Sequence, residues 1–106
     1  MIKKILFLFC LTFSTIGFSQ KKSLEKLSAA PNPFVTATTI SFTTLKDSKI
    51  TLSVKNVLGK IVYKKEHTIK KGKNSIPFYK NNLASGIYIY SIRDTKNIIS
   101  KRFVIR

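Results

Sequence analysis

A chain of 106 residues with 20 Lys and Arg against four Asp and Glu carries a formal net charge of +16 at pH 7. That length holds one small domain, and a single histidine and a single cysteine propose no disulfide framework, metal cluster or catalytic triad. The charge predicts salt-sensitive attraction to anionic polymers, but only Arg93, Arg102 and Arg106 offer the guanidinium preferred for phosphates and base edges, so nucleic acid is not expected as the natural partner.

The first residues read as an export signal. Lys3 and Lys4 precede an apolar run from Ile5 to Phe18, and Gly17 and Ser19 are small residues spaced for cleavage before Gln20. The run is interrupted by Thr12, Ser14 and Thr15 and falls short of the ~20 apolar residues of a spanning helix, so no transmembrane segment is expected in the mature chain. Cys10 lies inside the run behind the bulky Phe9, a poor setting for lipidation, and leaves with residues 1–19. The exported product, residues 20–106, keeps a charge of about +14. Its stability must come from sheet pairing and burial of aliphatic and aromatic side chains.

Residues 20–30 contain Lys21–Ala30 (KKSLEKLSAA), which lacks turn chemistry and clear periodicity and reads as a linker. Pro31-Asn32-Pro33 forces extended or turn geometry and marks the entry to the folded domain, residues 31–106. Thr38–Thr44 alternates with Ile40 and Phe42 on one face, and Lys49–Lys55 with Ile50, Leu52 and Val54. After a break at Asn56-Val57-Leu58-Gly59, Lys60–Lys65 resumes as a strand with Ile61 and Tyr63 on one side. Lys70–Asn74 is a basic turn, and Pro77 confines Ser75–Tyr79 to an edge or an end. The chain closes on two strand-like runs, Gly86–Arg93 and Ile98–Ile105, joined by Asp94–Asn97. In the first, Tyr88, Tyr90 and Ile92 share a face. The second is too charged, at Lys101 and Arg102, to be central in a sheet. Six or seven short strands with frequent turns and no amphipathic helix predict an all-β antiparallel sandwich, ending in a basic, accessible hairpin.

Catalytic chemistry finds no footing in this pattern. His67 stands beside Glu66 in a run of lysines with no nucleophile or ligand cluster at useful spacing, and reads as a solvent-facing strand residue. The four carboxylates fall in different elements, and the isolated glycines form no phosphate-cradling loop. No catalytic residue, metal ligand or cofactor is expected, and the chain is read as a non-enzyme.

Pro31-Asn32-Pro33, Asn56-Val57-Leu58-Gly59-Lys60-Ile61-Val62, Leu83-Ala84-Ser85-Gly86-Ile87-Tyr88 and the ending Lys101-Arg102-Phe103-Val104-Ile105-Arg106 follow one another in a known order. In sequence and spacing residues 30–106 resemble the type A C-terminal sorting domain of the Bacteroidota type IX secretion system. The resemblance implies an immunoglobulin-like β-sandwich of seven strands. It also implies an address label that takes an attached passenger through the outer-membrane type IX translocon to the surface or the medium. In the family a sortase-like peptidase commonly removes the label at the surface, with the passenger joined to anionic lipopolysaccharide, and the resemblance implies the same partners here. Recognition is expected at Gly86, Tyr88, Lys101, Arg102, Val104 and Arg106, with Pro31, Asn32, Pro33, Asn56 and Gly59 as turn motifs. Two departures stand out: Asn56 replaces the Asp of many relatives, and only Gln20–Ala30 precedes the domain where the family has a large passenger. The rival expectation is a small basic surface protein that binds anionic polysaccharide or lipopolysaccharide through Lys60, Lys64, Lys65, Lys70, Lys71 and Lys73.

Overall fold

A computed structural model describes residues 23–106, all of them in strands, turns and loops. The export signal expected at residues 1–19 lies outside the described residues. Seven strands follow in chain order: β1 (Leu24–Ala30), β2 (Ala37–Thr44), β3 (Ser48–Asn56), β4 (Ile61–Ile69), β5 (Gly72–Tyr79), β6 (Gly86–Arg93) and β7 (Ile98–Ile105). They form two antiparallel sheets, β1-β2-β5 and β4-β3-β6-β7. The expected all-β sandwich is what the chain adopts. Compared with the seven-strand immunoglobulin layout of four and three strands, the fourth strand here pairs with the third, so the larger sheet ends in β7.

Burial follows the alternation read from the sequence in the best-patterned strands. Ile40 and Phe42 of β2, Ile50, Leu52 and Val54 of β3, and Tyr88, Tyr90 and Ile92 of β6 are all buried in one core. That core lies between the inner faces of the sheets, as period-2 side-chain geometry requires. Pro77 sits in β5 and the charged C-terminal run forms β7; each is the edge strand of its sheet, where a missing N–H or a charge is tolerated.

Three expectations are corrected. The stretch Lys21–Ala30 is not a linker from Leu24 onward: Leu24–Ala30 is β1, with Leu24 and Leu27 fully buried. Its signal is hidden because the register with β2 slips between Glu25 and Ser28 and Lys26 takes a left-handed φ of 58°. This bulge spaces the two leucines three apart and breaks the period of two. A second bulge corrects β4. Tyr63 pairs with Val54, but Ile61 pairs with Lys55, so Val62 is the extra residue and Ile61 and Tyr63 lie on opposite faces. Val62 and Tyr63 pack on the core, while Ile61 is turned outward.

His67 is the third. It pairs with Ile50 of the core, so it stands on the inner side of β4, half-buried, with Nε2 shut off from solvent and without a hydrogen-bond partner. Burial, and then the charge of Lys65, lower its pKa below the ordinary 6.5. The fold therefore prefers the neutral ring. Its contribution is complete above the unfolded value and is lost as the pH falls through the lower folded one. Melting temperature should drop over that interval and His67→Gln should flatten the drop; thermal melts between about pH 7.5 and 5 check this.

Candidate recognition surface

The terminal hairpin is held by contacts that run far along the chain. Asp94 opens the β6–β7 turn, with Oδ1 accepting from the amides of Lys96 at 2.8 Å and Asn97 at 2.6 Å. Its Oδ2 accepts from the Ser23 hydroxyl, and that Ser23 oxygen in turn accepts from Asn97 Nδ2 at 2.7 Å. Burial raises the Asp94 pKa, but the Ser23, Asn97 and Lys96 hydrogen bonds and the nearby Lys46 charge outweigh it and leave the carboxyl below its ordinary value. The start of the domain thus grips the start of β7.

The other end of β7 is gripped by the Pro31–Phe34 strap. The Asn32 side chain behaves like a short stretch of strand: Oδ1 accepts from Val104 N–H at 2.9 Å, and Nδ2 donates to the Arg102 carbonyl at 3.3 Å. Phe34 continues the pairing, its N–H donating to Val104 C=O at 3.0 Å and its carbonyl accepting from Arg106 N–H at 2.9 Å. Thr38 Oγ1 donates to the Pro31 carbonyl at 2.7 Å, fixing the strap to β2. The Ala30-Pro31 and Asn32-Pro33 peptide bonds are both cis. The hairpin expected to offer a free edge therefore has that edge covered from Arg102 to Arg106, because an amide side chain can satisfy a main-chain donor and acceptor together.

The expected recognition residues divide between surface and interior. Arg102 and Val104 pair with Ile89 and Ile87 and share the outer face of the larger sheet. Lys101 pairs with the buried Tyr90, so it starts from the inner side of an edge strand yet ends exposed, an arrangement that blocks stray strand addition. Arg106 is exposed beyond the strap. Tyr88 is only 6% exposed; its hydroxyl donates to the Ala84 carbonyl at 2.7 Å. That is the tyrosine corner found at the same strand of immunoglobulin-like sandwiches, so Tyr88 shapes the surface from beneath. Gly86 enters β6 at φ 154°, a conformation that suits a residue without Cβ.

The remaining motif is a turn. Asn56 Oδ1 accepts from the amides of both Leu58 and Lys60 at 3.0 Å, and Gly59 closes the turn at φ 85°. The bonds need an oxygen and no amide N–H, so Asn serves here as Asp would.

A comparison of the chain with protein families matches the secretion system C-terminal sorting domain over residues 28–106. The chain belongs to that family. No curated protein matches it. The match begins within β1 and takes in every motif of the sorting domain from the strap to the terminus. It supports a role in type IX secretion sorting, with export to the outer membrane or cell surface and interaction with the secretion system. No helix among the described residues is long and apolar enough to cross a membrane, and no cluster of metal-ligating side chains stands among them.

The six lysines of the rival reading do not gather into one surface. Lys64 pairs with Ser53 and faces outward from the larger sheet, whereas Lys73 pairs with Thr43 on the outer side of the smaller one. Lys65 opposes the core residue Leu52, Lys60 lies in the connection before β4, and Lys70 and Lys71 lie in the connection after it. Sequence proximity grouped them, and strand alternation separates them. The residues that sequence reasoning missed are Phe34, whose neighbours lie about seventy positions away, and the outward isoleucines of the larger sheet.

Proposed function

We propose that this chain acts as a non-enzymatic sorting label, recognised as a folded domain by the type IX outer-membrane translocon, which delivers an attached passenger to the cell surface. Membership of the sorting-domain family supports this reading. The observation that carries it further is the placement of Lys101, Arg102 and Arg106: all three are exposed on the last strand and its end, while Phe103 and Ile105 between them are core. Charge that contributes nothing to packing is available to steer an acidic receptor surface. A leader at residues 1–19, transit through the periplasm and removal by a sortase-like peptidase complete the reading, with anionic lipopolysaccharide as acceptor of the passenger.

The test places a fluorescent reporter between the leader and residues 21–106 in a host with this secretion system. The native chain is expected to carry the reporter to the surface or medium. The triple change Lys101→Glu, Arg102→Glu and Arg106→Glu should lower delivery by about tenfold or more, as loss of a complementary charge cluster does, with little change in melting temperature. Delivery of the folded triple variant at the native level would take the terminal charges out of recognition. Retention of both would end the sorting reading.

A further inference from the structure

The two outer faces of this sandwich have the same structural task and different chemistry. On the smaller sheet the outward positions of β2 are Ala37, Thr39, Ser41 and Thr43, opposite Tyr79, Pro77, Ser75 and Lys73 of β5, with Tyr79 at the end of the face its one large exposed hydrophobic side chain. Ser41 and Ser75 share a hydroxyl–hydroxyl hydrogen bond at 3.3 Å. This is an ordinary solvated β surface. On the larger sheet the outward rows read Ile61–Lys55–Ile89–Arg102, Lys64–Ser53–Ser91–Ser100 and Glu66–Thr51–Arg93–Ile98, with Ile87 beside Val104 at the end. Ile61, Ile87, Ile89 and Ile98 are 48%, 47%, 38% and 59% exposed, and Leu58 at the adjoining turn is 89% exposed.

Scattered surface aliphatics need no account, but several on one sheet face mark a contact surface. Core packing does not require them, since the inner face already holds Leu52, Tyr90 and Ile92. Solubility does not favour them. The cations between them are also uncompensated: of the nearby acids, Glu66 pairs with Lys49 at 3.9 Å and Asp94 is engaged by Ser23 and the turn amides. Lys55, Lys64, Arg93 and Arg102 consequently leave this face strongly positive.

We infer that the outer face of the β4-β3-β6-β7 sheet docks an acidic protein surface with an apolar centre, Ile61, Ile87 and Ile89 meeting the apolar part and Lys55, Lys64 and Arg102 the carboxylates. This deepens the sorting reading, and rests on it for where in the cell the partner is met. Charge complementarity selects an acidic partner, and the isoleucines select one with apolar area to bury, which a uronate or sugar-phosphate polymer lacks. A lipid surface fits less well. Membrane-bound faces segregate apolar from charged side chains so that only the apolar ones pass the headgroups, whereas here Ile89 lies between Lys55 and Arg102 in one row.

The test uses the exported chain with labelled isoleucine methyls and three polyanion probes: a random glutamate–tyrosine copolymer, polyglutamate and polygalacturonate. The copolymer is expected to bind about tenfold tighter than either of the others, the gain from burying a few aliphatic side chains. It should shift the methyl signals of Ile61, Ile87 and Ile89 while leaving those of buried Ile40 and Ile50 in place. The double change Ile87→Thr and Ile89→Thr, which keeps two β-branched residues, should remove the preference without lowering the affinity for polygalacturonate. Equal binding of all three probes would overturn the proposal in favour of charge alone. Flotation with phosphatidylglycerol vesicles that depends on Ile87 and Ile89, without copolymer preference, would overturn it in favour of a membrane. In the delivery assay the folded double variant should be retained while the opposite-face variant Thr39→Ala is exported; export of both would also overturn it. Failure of the native chain to deliver would end the sorting reading alone, because the copolymer experiment judges the face independently.

Discussion

Replacing Phe103 by alanine is expected to cost about 3–5 kcal/mol of folding free energy, enough to leave a small domain close to unfolded at 25 °C. Phe103 is completely buried and is the hub of the aromatic core. Its ring stacks on Tyr90 at 5.0 Å, meets Phe34 edge-on at 5.1 Å, and lies tilted against Phe78 at 5.4 Å and Tyr88 at 6.2 Å. Alanine would leave a void bounded by four rings from β5, β6 and the strap. Rigid aromatic neighbours collapse into such a space poorly, so the cavity cost adds to the lost transfer energy. Urea denaturation of native and variant chains checks the magnitude, and a loss below about 1.5 kcal/mol, the range of tolerated volume-conserving swaps, would contradict this packing.

The same geometry decides how the terminus can be tested. Removing Lys101–Arg106 deletes Phe103 and Ile105, both fully buried, together with the partners of Asn32 and Phe34. A truncated chain would fail to be exported because it is unfolded, whatever the translocon reads. Substitution of Lys101, Arg102 and Arg106 alone separates the proposed address from the core, since these side chains are exposed. From Arg102 to Arg106 outward and core side chains alternate residue by residue, as side chains on a strand must, and Lys101 is the inward position whose charge still reaches solvent.

What the sequence made legible follows from how local each signal is. Ile50, Leu52 and Val54 alternate with Lys and hydroxyl residues, and β3 forms with those three in the core. β2 and β6 repeat this. Two of the three misreadings sit at bulges. Leu24 and Leu27 are spaced three apart and give no period of two, and only the slip at Lys26 brings both to the core. The extra Val62 inverts the facing of Ile61 in the same way. A bulge changes the count without leaving a turn residue in its place, so alternation alone cannot register it. The site was legible in part. Family motifs pointed to the terminal strand, where the exposed Arg102 and the half-buried Val104 share a face. Tyr88 was named with them, but its ring is buried and its hydroxyl closes a corner with the Ala84 carbonyl, a placement that no local pattern announces. The strap was out of reach because Asn32 finds its partners at Arg102 and Val104, and no local pattern encodes a pairing at that separation.

Phe34→Ala is the second large prediction, again about 3–5 kcal/mol, and it isolates the strap. Phe34 is 2% exposed, edge-on to both Phe103 and Phe78 at 5.1 and 6.3 Å. Alanine leaves the strap's main-chain bonds available but removes the side chain that seats them. Hydrogen bonds on a sheet edge contribute only about 0.5–1.5 kcal/mol each in net terms, too little to hold the strap once its anchor is gone. The amides of Val104, bonded to Asn32 Oδ1, and of Arg106, bonded to the Phe34 carbonyl, should then exchange with solvent faster than the β2 and β3 amides. Hydrogen exchange on the native and variant chains reads this directly. Selective acceleration at Val104 and Arg106 would show that the strap opens as a unit over the outer edge of β7. Uniform acceleration through all seven strands would show that Phe34 supports only the common core, and that the terminal edge is never presented while the domain stays folded.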